Sequence, residues 1–294
     1  MVDTRDLKSL GHYGCAGSSP ASGTCPGSRV FVDATPLFIL PVMKILVNKE
    51  YIRFKEYIGS IPSIFGSVWT EIYHKRNIVK ILSHDGTDLV VKRYKHPNLI
   101  QRVAYTFFCP GKAERAYRYA ERMLALGILT PFPIAYIEIR KRGLLADSYF
   151  ISSRTFDKPL YPELVDTPGY DRQLAREVAR FIASLHEEGV LHGDPNLNNI
   201  LYHRDSDGKP CFTVIDTNRT KFGSAFSKED CVSNLMRLTH RRDLLTFLVT
   251  EYALYRKWDV PETVSQVLAG LSAFEHRREV KYKFKRLLSP FKRK

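Results

Sequence analysis

Strand-type sequence patterns fill the chain between residues 50 and 155, whereas helical patterns dominate it from residue 171 onward. A run of strands followed by a run of helices is typical of α+β folds. No internal repeat interrupts this order. The sequence therefore predicts an α+β protein of two lobes, with a β-rich first lobe that contains one helix and a mainly helical second lobe.

Turn and cap residues support this division. Residues 77–82 and 88–94 are apolar runs separated by the turn residues 83–86, which predicts a β-hairpin. Residues 112–126 and 171–188 are good helix formers, and each stretch is followed by a glycine that can end a helix. The remaining predicted elements are strands at 134–139, 148–153 and 211–216, and helices at 228–257 and 262–288.

The stretch most informative about chemistry is His192-Gly-Asp-Pro-Asn-Leu-Asn-Asn199, which precedes a short apolar strand that ends in Asp216. An Asp, an Asn five residues later and a strand-ending Asp seventeen residues beyond form the arrangement of phosphotransferases. In that arrangement Asp194 accepts or orients the proton of an attacking hydroxyl, while Asn199 and Asp216 hold Mg²⁺ against the nucleotide phosphates. The loop alone also fits a solvated turn rich in Asn and Asp.

Lys92 lies inside an apolar strand about 100 residues before this loop, as the phosphate-binding lysine of a kinase does. A lysine in a strand more often only faces solvent. The next helix carries Glu114 and Glu121, which share a face. Either could pair with Lys92 or be a surface charge, and we favour Glu114 because it is nearer the helix start. Together these elements follow the order of a bilobal protein-kinase-like fold and predict an ATP-dependent kinase.

Departures from the protein-kinase motifs narrow the class of molecule that could accept the phosphate. No GxGxxG motif precedes Lys92, and the corresponding turn is 75–77, where backbone amides and Arg76 would cover the phosphates. His-Gly-Asp replaces His-Arg-Asp, so no loop arginine is available to bind a phosphorylated activation segment, and no APE motif follows Asp216. These losses favour a small-molecule or glycan acceptor over a peptide.

The His-Gly-Asp loop resembles that of aminoglycoside and choline phosphotransferases. The fuller sequence, from about residue 43 to 275, resembles the lipopolysaccharide core kinases (the heptose and Kdo kinase family). The order of six short segments carries this resemblance: 76–77, 91–94, 112–117, 127–131, 148–150 and 215–219. It implies a protein-kinase-like fold, ATP and Mg²⁺ as cofactors, and a sugar hydroxyl of the lipid A–core as acceptor. By position it makes Asp194 the base, Asn199 and Asp216 the metal ligands, and Lys92 the nucleotide lysine. Thr217-Asn218 replaces the Phe-Gly that follows this Asp in protein kinases.

Residues 1–29 are rich in Gly, Ser, Thr, Ala and Pro without any period, which predicts a disordered N-terminal tail. A second interpretation makes 1–42 a spurious extension. Gly17-Ser-Ser-Pro20 matches the translated T-arm of a bacterial transfer-RNA gene, and Met43 would then be the true start. The further predicted boundaries are a kinase-like N-lobe at 43–155, a kinase-like C-lobe at 156–275 and a basic tail at 276–294.

The chain carries 45 Lys and Arg against 31 Asp and Glu, a net charge of +14, which favours an anionic partner. Residues 276–294 hold nine basic residues and one acidic residue, so +8 of this excess lies in the tail. The tail predicts peripheral contact with an anionic membrane surface, and a solvated terminal helix is the alternative. No nucleic-acid-binding motif is found, so nucleic acid is not an expected partner.

Five cysteines without a CxxC pair favour a reducing cytoplasm over a disulfide framework or a zinc site. The most apolar run, 37–47, is too short to span a bilayer, and no secretory signal is found. We therefore expect a cytoplasmic kinase at the inner face of the inner membrane, with a lipid-linked glycan as acceptor. Two alternatives stay open: a kinase-fold enzyme acting on another small molecule or a protein, and a non-catalytic kinase-like scaffold.

Overall fold

The computed structural model describes residues 41–67, 70–74 and 76–288, with side chains as far as residue 283, and these residues belong to one compact unit. Its N-terminal part is built on a sheet of six strands: β1 (Val42–Val47), β2 (Thr70–His74), β3 (Ile78–His84), β4 (Thr87–Arg93), β5 (Pro133–Lys141) and β6 (Leu144–Ser153). The order across the sheet is β1-β5-β6-β4-β3-β2, and all neighbours are antiparallel.

The predicted hairpin is confirmed as β3 and β4. Asp85 and Gly86 both have positive φ angles, 46° and 71°, which is the backbone of the tight hairpin turn that Asp-Gly favours. Lys92 lies opposite Val79 on β3 and opposite Phe150 on β6. The lysine is therefore held on an interior strand of the sheet, with a neighbour on each side.

Three helices accompany this sheet: α1 (Lys55–Ile64), α2 (Leu99–Phe107) and α3 (Lys112–Ala125). Helix α3 matches its prediction, and Gly127 follows it with a φ of +74°. The prediction of a single helix in the β-rich lobe is wrong, because α1 and α2 are also present. Both contain β-branched and aromatic residues that are enriched in strands, and Pro62 lies inside α1. Local composition therefore concealed them.

The N-terminal part has its own hydrophobic core. One face of the sheet packs against α1 through Phe54, Ile58, Ile61 and Phe65. A smaller cluster joins α3 to the sheet and consists of Tyr94, Ala113, Ala116, Tyr117 and Tyr136. The α3 cluster connects the strand that carries Lys92 with the helix that follows it, so the two elements hold a fixed relative position.

The C-terminal part is mainly helical, and the predicted α+β fold class is confirmed. Its helices are α4 (Leu160–Leu164), α5 (Arg172–Glu187), α6 (Lys228–Leu235), α7 (Arg242–Arg256) and α8 (Val260–Leu288). Its strands are β7 (Lys158–Pro159), β8 (Val190–Leu191), β9 (Ile200–Arg204), β10 (Pro210–Val214) and β11 (Lys221–Phe222). The predicted helix at 171–188 is confirmed as α5, which the Asp171 side chain caps by accepting from Gln173 N and Leu174 N.

The two chain termini bear on several predictions. Residues 1–40 lie outside the described residues, so the interpretations of 1–42 and of Met43 as a start remain predictions. Within the basic tail, residues 276–288 continue α8, and those with described side chains are exposed or half-exposed. No helix among residues 41–67 and 76–288 is long and apolar enough to cross a membrane.

Candidate active site

The His192–Asn199 loop connects β8 to β9 and is held by short local bonds. The Asn196 side chain accepts a hydrogen bond from Asn198 N at 2.9 Å and begins a 3-10 turn at Leu197–Asn199. The Asn199 amide donates to the carbonyl oxygen of Asp194 at 2.9 Å. These bonds order the loop between a buried His192 and a buried Ile200, and they leave Asp194 half-buried.

His192 ties this loop to the strand that ends at Asp216. Its Nε2 donates to the carbonyl oxygen of Ile215 at 2.9 Å, and its Nδ1 accepts from the backbone N–H of Asp194 at 3.3 Å. Burial lowers the pKa of His192, so the ring is neutral at physiological pH. Both ring nitrogens are occupied by backbone groups, which makes His192 a positioning residue between the two predicted aspartates.

Gly193 lies where the loop meets the segment after Asp216. A Cβ atom at this position would be 2.2 Å from the carbonyl oxygen of Arg219 and 2.5 Å from its Cβ. No larger residue fits without moving backbone. The replacement of the protein-kinase arginine by glycine in His-Gly-Asp therefore follows from this close approach of two chain segments.

Asp216 follows β10 in a left-handed conformation, with φ 59° and ψ 46°. The N–H of Ile215 donates to the backbone oxygen of Asn199 at 2.9 Å, so the two predicted metal ligands lie on directly bonded segments. Lys92 Nζ is 2.8 Å from Asp216 Oδ1, and Asn218 Nδ2 donates to the same oxygen. Burial alone would raise the pKa of Asp216, but the Lys92 ammonium outweighs it and holds the pKa below its usual value.

The predicted pairing of Lys92 with an acid on α3 is wrong. Glu114 instead binds Lys44 Nζ at 2.9 Å and Arg118 at 2.5 Å. Glu121 lies beside Tyr117, where burial and this carboxylate raise the pKa of the tyrosine. The reason is the register of the edge strand: β1 pairs with β5 and carries Lys44 across to the buried Glu114.

A group of cations lies around Lys112 and Asp216. The pKa of Lys112 is lowered first by burial and then by repulsion from Arg76, Arg219 and Arg115. Arg76, predicted to cover the phosphates, therefore lies within electrostatic range of the site. The sequence analysis assigned no site role to Lys112, Arg115 or Arg219. Lys112 could have been predicted from the absence of any acidic residue between Asp88 and Glu114.

Comparisons with known proteins identify the family to which this chain belongs. The model of the lipopolysaccharide kinase (Kdo/WaaP) family matches residues 99–254, more than half of the chain. The chain belongs to the lipopolysaccharide kinase (Kdo/WaaP) family. The family resemblance seen in the sequence is thereby confirmed, and membership makes the protein an ATP-dependent kinase.

A solved structure shows the same fold. The structure of WaaP in complex with acyl carrier protein aligns with a TM-score of 0.53 and 18% identity over 81% of this chain and 98% of that one. The Rio2 kinase of Chaetomium thermophilum, solved as an ADP/Mg²⁺-phosphoaspartate complex, aligns with a TM-score of 0.43 and 12% identity over 79% of this chain and 78% of that one. No curated protein matches the chain.

In this member of the lipopolysaccharide kinase family the His192–Asn199 loop is also bonded to the helical core. Asn234 on α6 donates to the carbonyl oxygen of His192 at 2.7 Å, and its own side-chain oxygen is 3.1 Å from His186 Nε2. His186 Nδ1 lies 2.9 Å from the Tyr252 hydroxyl, which accepts from Arg256. Burial lowers the pKa of His186 to about 4, so this buried chain contains a neutral imidazole.

The segment after Asp216 is bonded to α3. Thr217, which is buried, donates from its hydroxyl to the carbonyl oxygen of Ala116 at 3.3 Å. Thr217 and Asn218 thus replace Phe-Gly with polar contacts: one reaches the helix and the other holds the Asp216 carboxylate. The departure of this chain from the protein-kinase motif at these two positions therefore has a structural explanation.

The residues predicted to hold Mg²⁺ are chemically suited to it. The ionised Asp216 carboxylate and the Asn199 side-chain carbonyl are both hard oxygen donors, as Mg²⁺ requires. The Asn199 amide nitrogen is committed to the carbonyl oxygen of Asp194, so the side-chain oxygen is the atom that would bind the ion. No cluster of three or more His, Cys, Asp or Glu suited to a metal lies in the part of the chain that the structure describes. Two protein ligands fit a Mg²⁺ ion that is otherwise coordinated by phosphates and water.

Proposed function

We propose that this kinase transfers the γ-phosphoryl group of ATP to a sugar hydroxyl of the lipid A–core of lipopolysaccharide. The observation that carries the proposal is the joining of Asp194, Asn199 and Asp216 by direct bonds between their segments, in a chain that belongs to a lipopolysaccharide kinase family. We further propose that it acts from the cytoplasm, as a peripheral protein at the inner face of the inner membrane.

Asp194 is the residue we assign to the acceptor hydroxyl. Its backbone N–H and carbonyl are both bonded within the loop, which fixes the backbone that carries its half-buried carboxylate. That carboxylate accepts the proton of the acceptor hydroxyl while the hydroxyl oxygen attacks the γ-phosphorus. The bond between the γ-phosphorus and the oxygen of the β-phosphate breaks, and ADP leaves. His192 cannot compete for this proton because both of its ring nitrogens are occupied.

The cations bind the nucleotide. Lys92 would contact the phosphates, and Arg76, Lys112 and Arg219 add positive charge where negative charge spreads over the transferred group. Mg²⁺ held by Asn199 and Asp216 would neutralise phosphate oxygens and so favour the in-line displacement. Phosphate oxygens then offer Lys92 a second anionic partner beside Asp216, its partner in the structure.

Phosphoryl transfer in vitro tests the proposal. Purified protein is incubated with γ-labelled ATP, Mg²⁺ and detergent-solubilised lipid A–core that lacks core phosphate, and label in the lipid is counted. We expect transfer by the wild type and a loss of about 10³-fold in Asp194→Asn, because the carboxylate base is removed.

Asp207→Asn is the matched control, because Asp207 is an exposed aspartate in the turn between β9 and β10. It should transfer label at the wild-type rate. Label in the lipid with Asp194→Asn at that same rate would contradict the role of Asp194. Absence of label with the wild type would contradict the acceptor.

A further inference from the structure

Helix α2 presents an apolar surface to solvent. We define the α2 apolar face by Leu99, Ile100, Val103, Phe107 and Phe108, whose exposed fractions are 66%, 81%, 37%, 69% and 81%. The first four lie within about 100° of one another around the helix. No residue of α2 is buried. A contiguous apolar surface of this kind is costly in water and marks an interaction site.

The helix is attached to the protein by its polar side. Arg102 donates from Nε to the carbonyl oxygen of Leu145 at 3.0 Å and from its other end to that of Lys141 at 3.2 Å. Thr106 accepts from the N–H of Leu145 at 3.0 Å. An amphipathic helix normally turns its apolar side to the core, and α2 does the opposite. The outward orientation of its apolar face is therefore built into the fold.

The helix is also formed before any partner arrives. Asn98 and Gln101 make a reciprocal capping box, with Gln101 N donating to Asn98 Oδ1 at 2.9 Å. With its first turn capped and its middle bonded to β6, α2 loses little conformational entropy on binding. A groove of about 500 Å³ runs between its apolar side chains and is lined by Leu99, Ile100, Val103, Ala104 and Phe108.

The charge around this face is positive. Between Asp88 and Glu114 the sequence contains no acidic residue, and the exposed Lys95 lies three residues before Asn98, which caps α2. Lys141 at the end of β5 is exposed and pairs with Asp147 at 3.1 Å, and its carbonyl is bonded to α2. Arg142, in the turn between β5 and β6, is exposed as well. Apolar side chains with cations beside them match the interface of an anionic bilayer, in which acyl chains lie beneath negative headgroups.

The helix also lies close to the candidate active site along the chain. Tyr94, five residues before α2, has its ring 5.4 Å from Lys92 Nζ. Lys112, five residues after it, lies within electrostatic range of Asp216. A surface that binds α2 would therefore be held near the site by both ends of this segment.

We propose that the α2 apolar face inserts into the headgroup–acyl interface of an anionic membrane, with Lys141, Arg142 and Lys95 beside the headgroups. This places the kinase where a lipid-linked acceptor is found, and in that respect it rests on the proposed function. The binding itself depends only on the surface described above.

Vesicle binding of the full chain tests the proposal. The double variant Ile100→Ser with Phe108→Ser removes the two most exposed apolar side chains of α2. Leu254→Ser with Phe156→Ser is the matched control, because these side chains are 59% and 77% exposed elsewhere on the protein. On vesicles of phosphatidylethanolamine with phosphatidylglycerol, we expect the α2 variant to bind on the order of tenfold or more weakly than wild type, and the control to bind as wild type does. Thermal unfolding midpoints should stay equal because every substituted residue is exposed.

Three results would overturn the proposal. The first is equal vesicle binding by wild type and the α2 variant, which would assign binding to another segment. The second is equal binding of wild type to vesicles of pure phosphatidylcholine, which would show that binding does not depend on anionic headgroups. The third is a lipid-free dimer, or a complex with an acidic protein, that the α2 variant abolishes while vesicle binding stays unchanged.

The same samples separate this proposal from the kinase assignment. Phosphorylation of lipid A–core in detergent needs no membrane docking, so the α2 variant should retain it. If wild type transfers phosphate in detergent but vesicle binding is unaffected by the variant, only the docking proposal fails. If vesicle binding behaves as expected but wild type transfers no phosphate, only the proposed acceptor fails.

Discussion

Replacement of Gly193 by alanine should separate the two halves of the candidate site. The new Cβ would lie 2.2 Å from the Arg219 carbonyl oxygen, whereas ordinary contact begins at 3.4 Å, so the segments must move apart by 1.2 Å. The contact is with backbone, so a side-chain rotation cannot relieve it. A shift of about 1 Å between reacting groups costs on the order of 10²-fold in kcat. Overpacking of this size also costs about 1–3 kcal/mol of stability.

The assay is phosphate transfer to lipid A–core at saturating ATP, combined with thermal unfolding. Gly169→Ala is the matched control, because a Cβ at that position meets nothing within 4 Å and should change neither quantity. We expect Gly193→Ala to lose about 10²-fold in kcat. If it keeps kcat within about twofold of wild type, the Gly193–Arg219 contact does not set the distance between Asp194 and Asp216.

Three further predictions test the bonds around the site. Asn234→Ala should lower the free energy of unfolding by about 2 kcal/mol and Tm by about 4–8 °C, measured by calorimetry, because it leaves a loop carbonyl and His186 without their partner. A double-mutant cycle of Lys44→Met with Glu114→Gln should show a coupling of about 0.5–1 kcal/mol in urea unfolding, and the cycle of Lys92→Met with Glu114→Gln almost none. The pKa of His186 falls from 6.5 in the unfolded chain to about 4 in the fold. The unfolded state therefore takes up its proton first, and stability is lost as pH falls from about 6.5 toward 4. His186→Gln should reduce that acid loss by up to about 3 kcal/mol, and acid loss identical to wild type would contradict a buried neutral ring.

Local chemistry predicted much of the fold. The Asp-Gly turn of the hairpin and the glycines after α3 and α5 are all signals within a few residues of the elements they define. Helix α2 was missed because it is short and contains β-branched and aromatic residues that are also enriched in strands. The direction in which its apolar side faces depends on the bonds of its polar side to β6, which lies far away in sequence.

The residues of the candidate site were predicted from their spacing in the sequence. The ion pairs around the site could not be predicted in this way. Asp194, Asn199 and Asp216 were predicted because kinase-like phosphotransferases carry a base and two metal ligands in this order along the chain. The partner of Glu114 depends on which strand occupies the edge of the sheet, and β1 brings Lys44 to it. Such a choice between two lysines far apart in sequence is made by topology, which no local pattern contains.

The measurement that tests the central claim most directly is the mass of lipid A–core from cells that lack this protein. The cells are complemented with wild type, Asp194→Asn or the control Asp207→Asn, and the purified lipid is analysed by mass spectrometry. We expect wild type and Asp207→Asn to add the mass of one phosphoryl group, and Asp194→Asn to add none. Identical lipid masses in all three strains would contradict the assignment of this protein as a lipid A–core kinase that depends on Asp194.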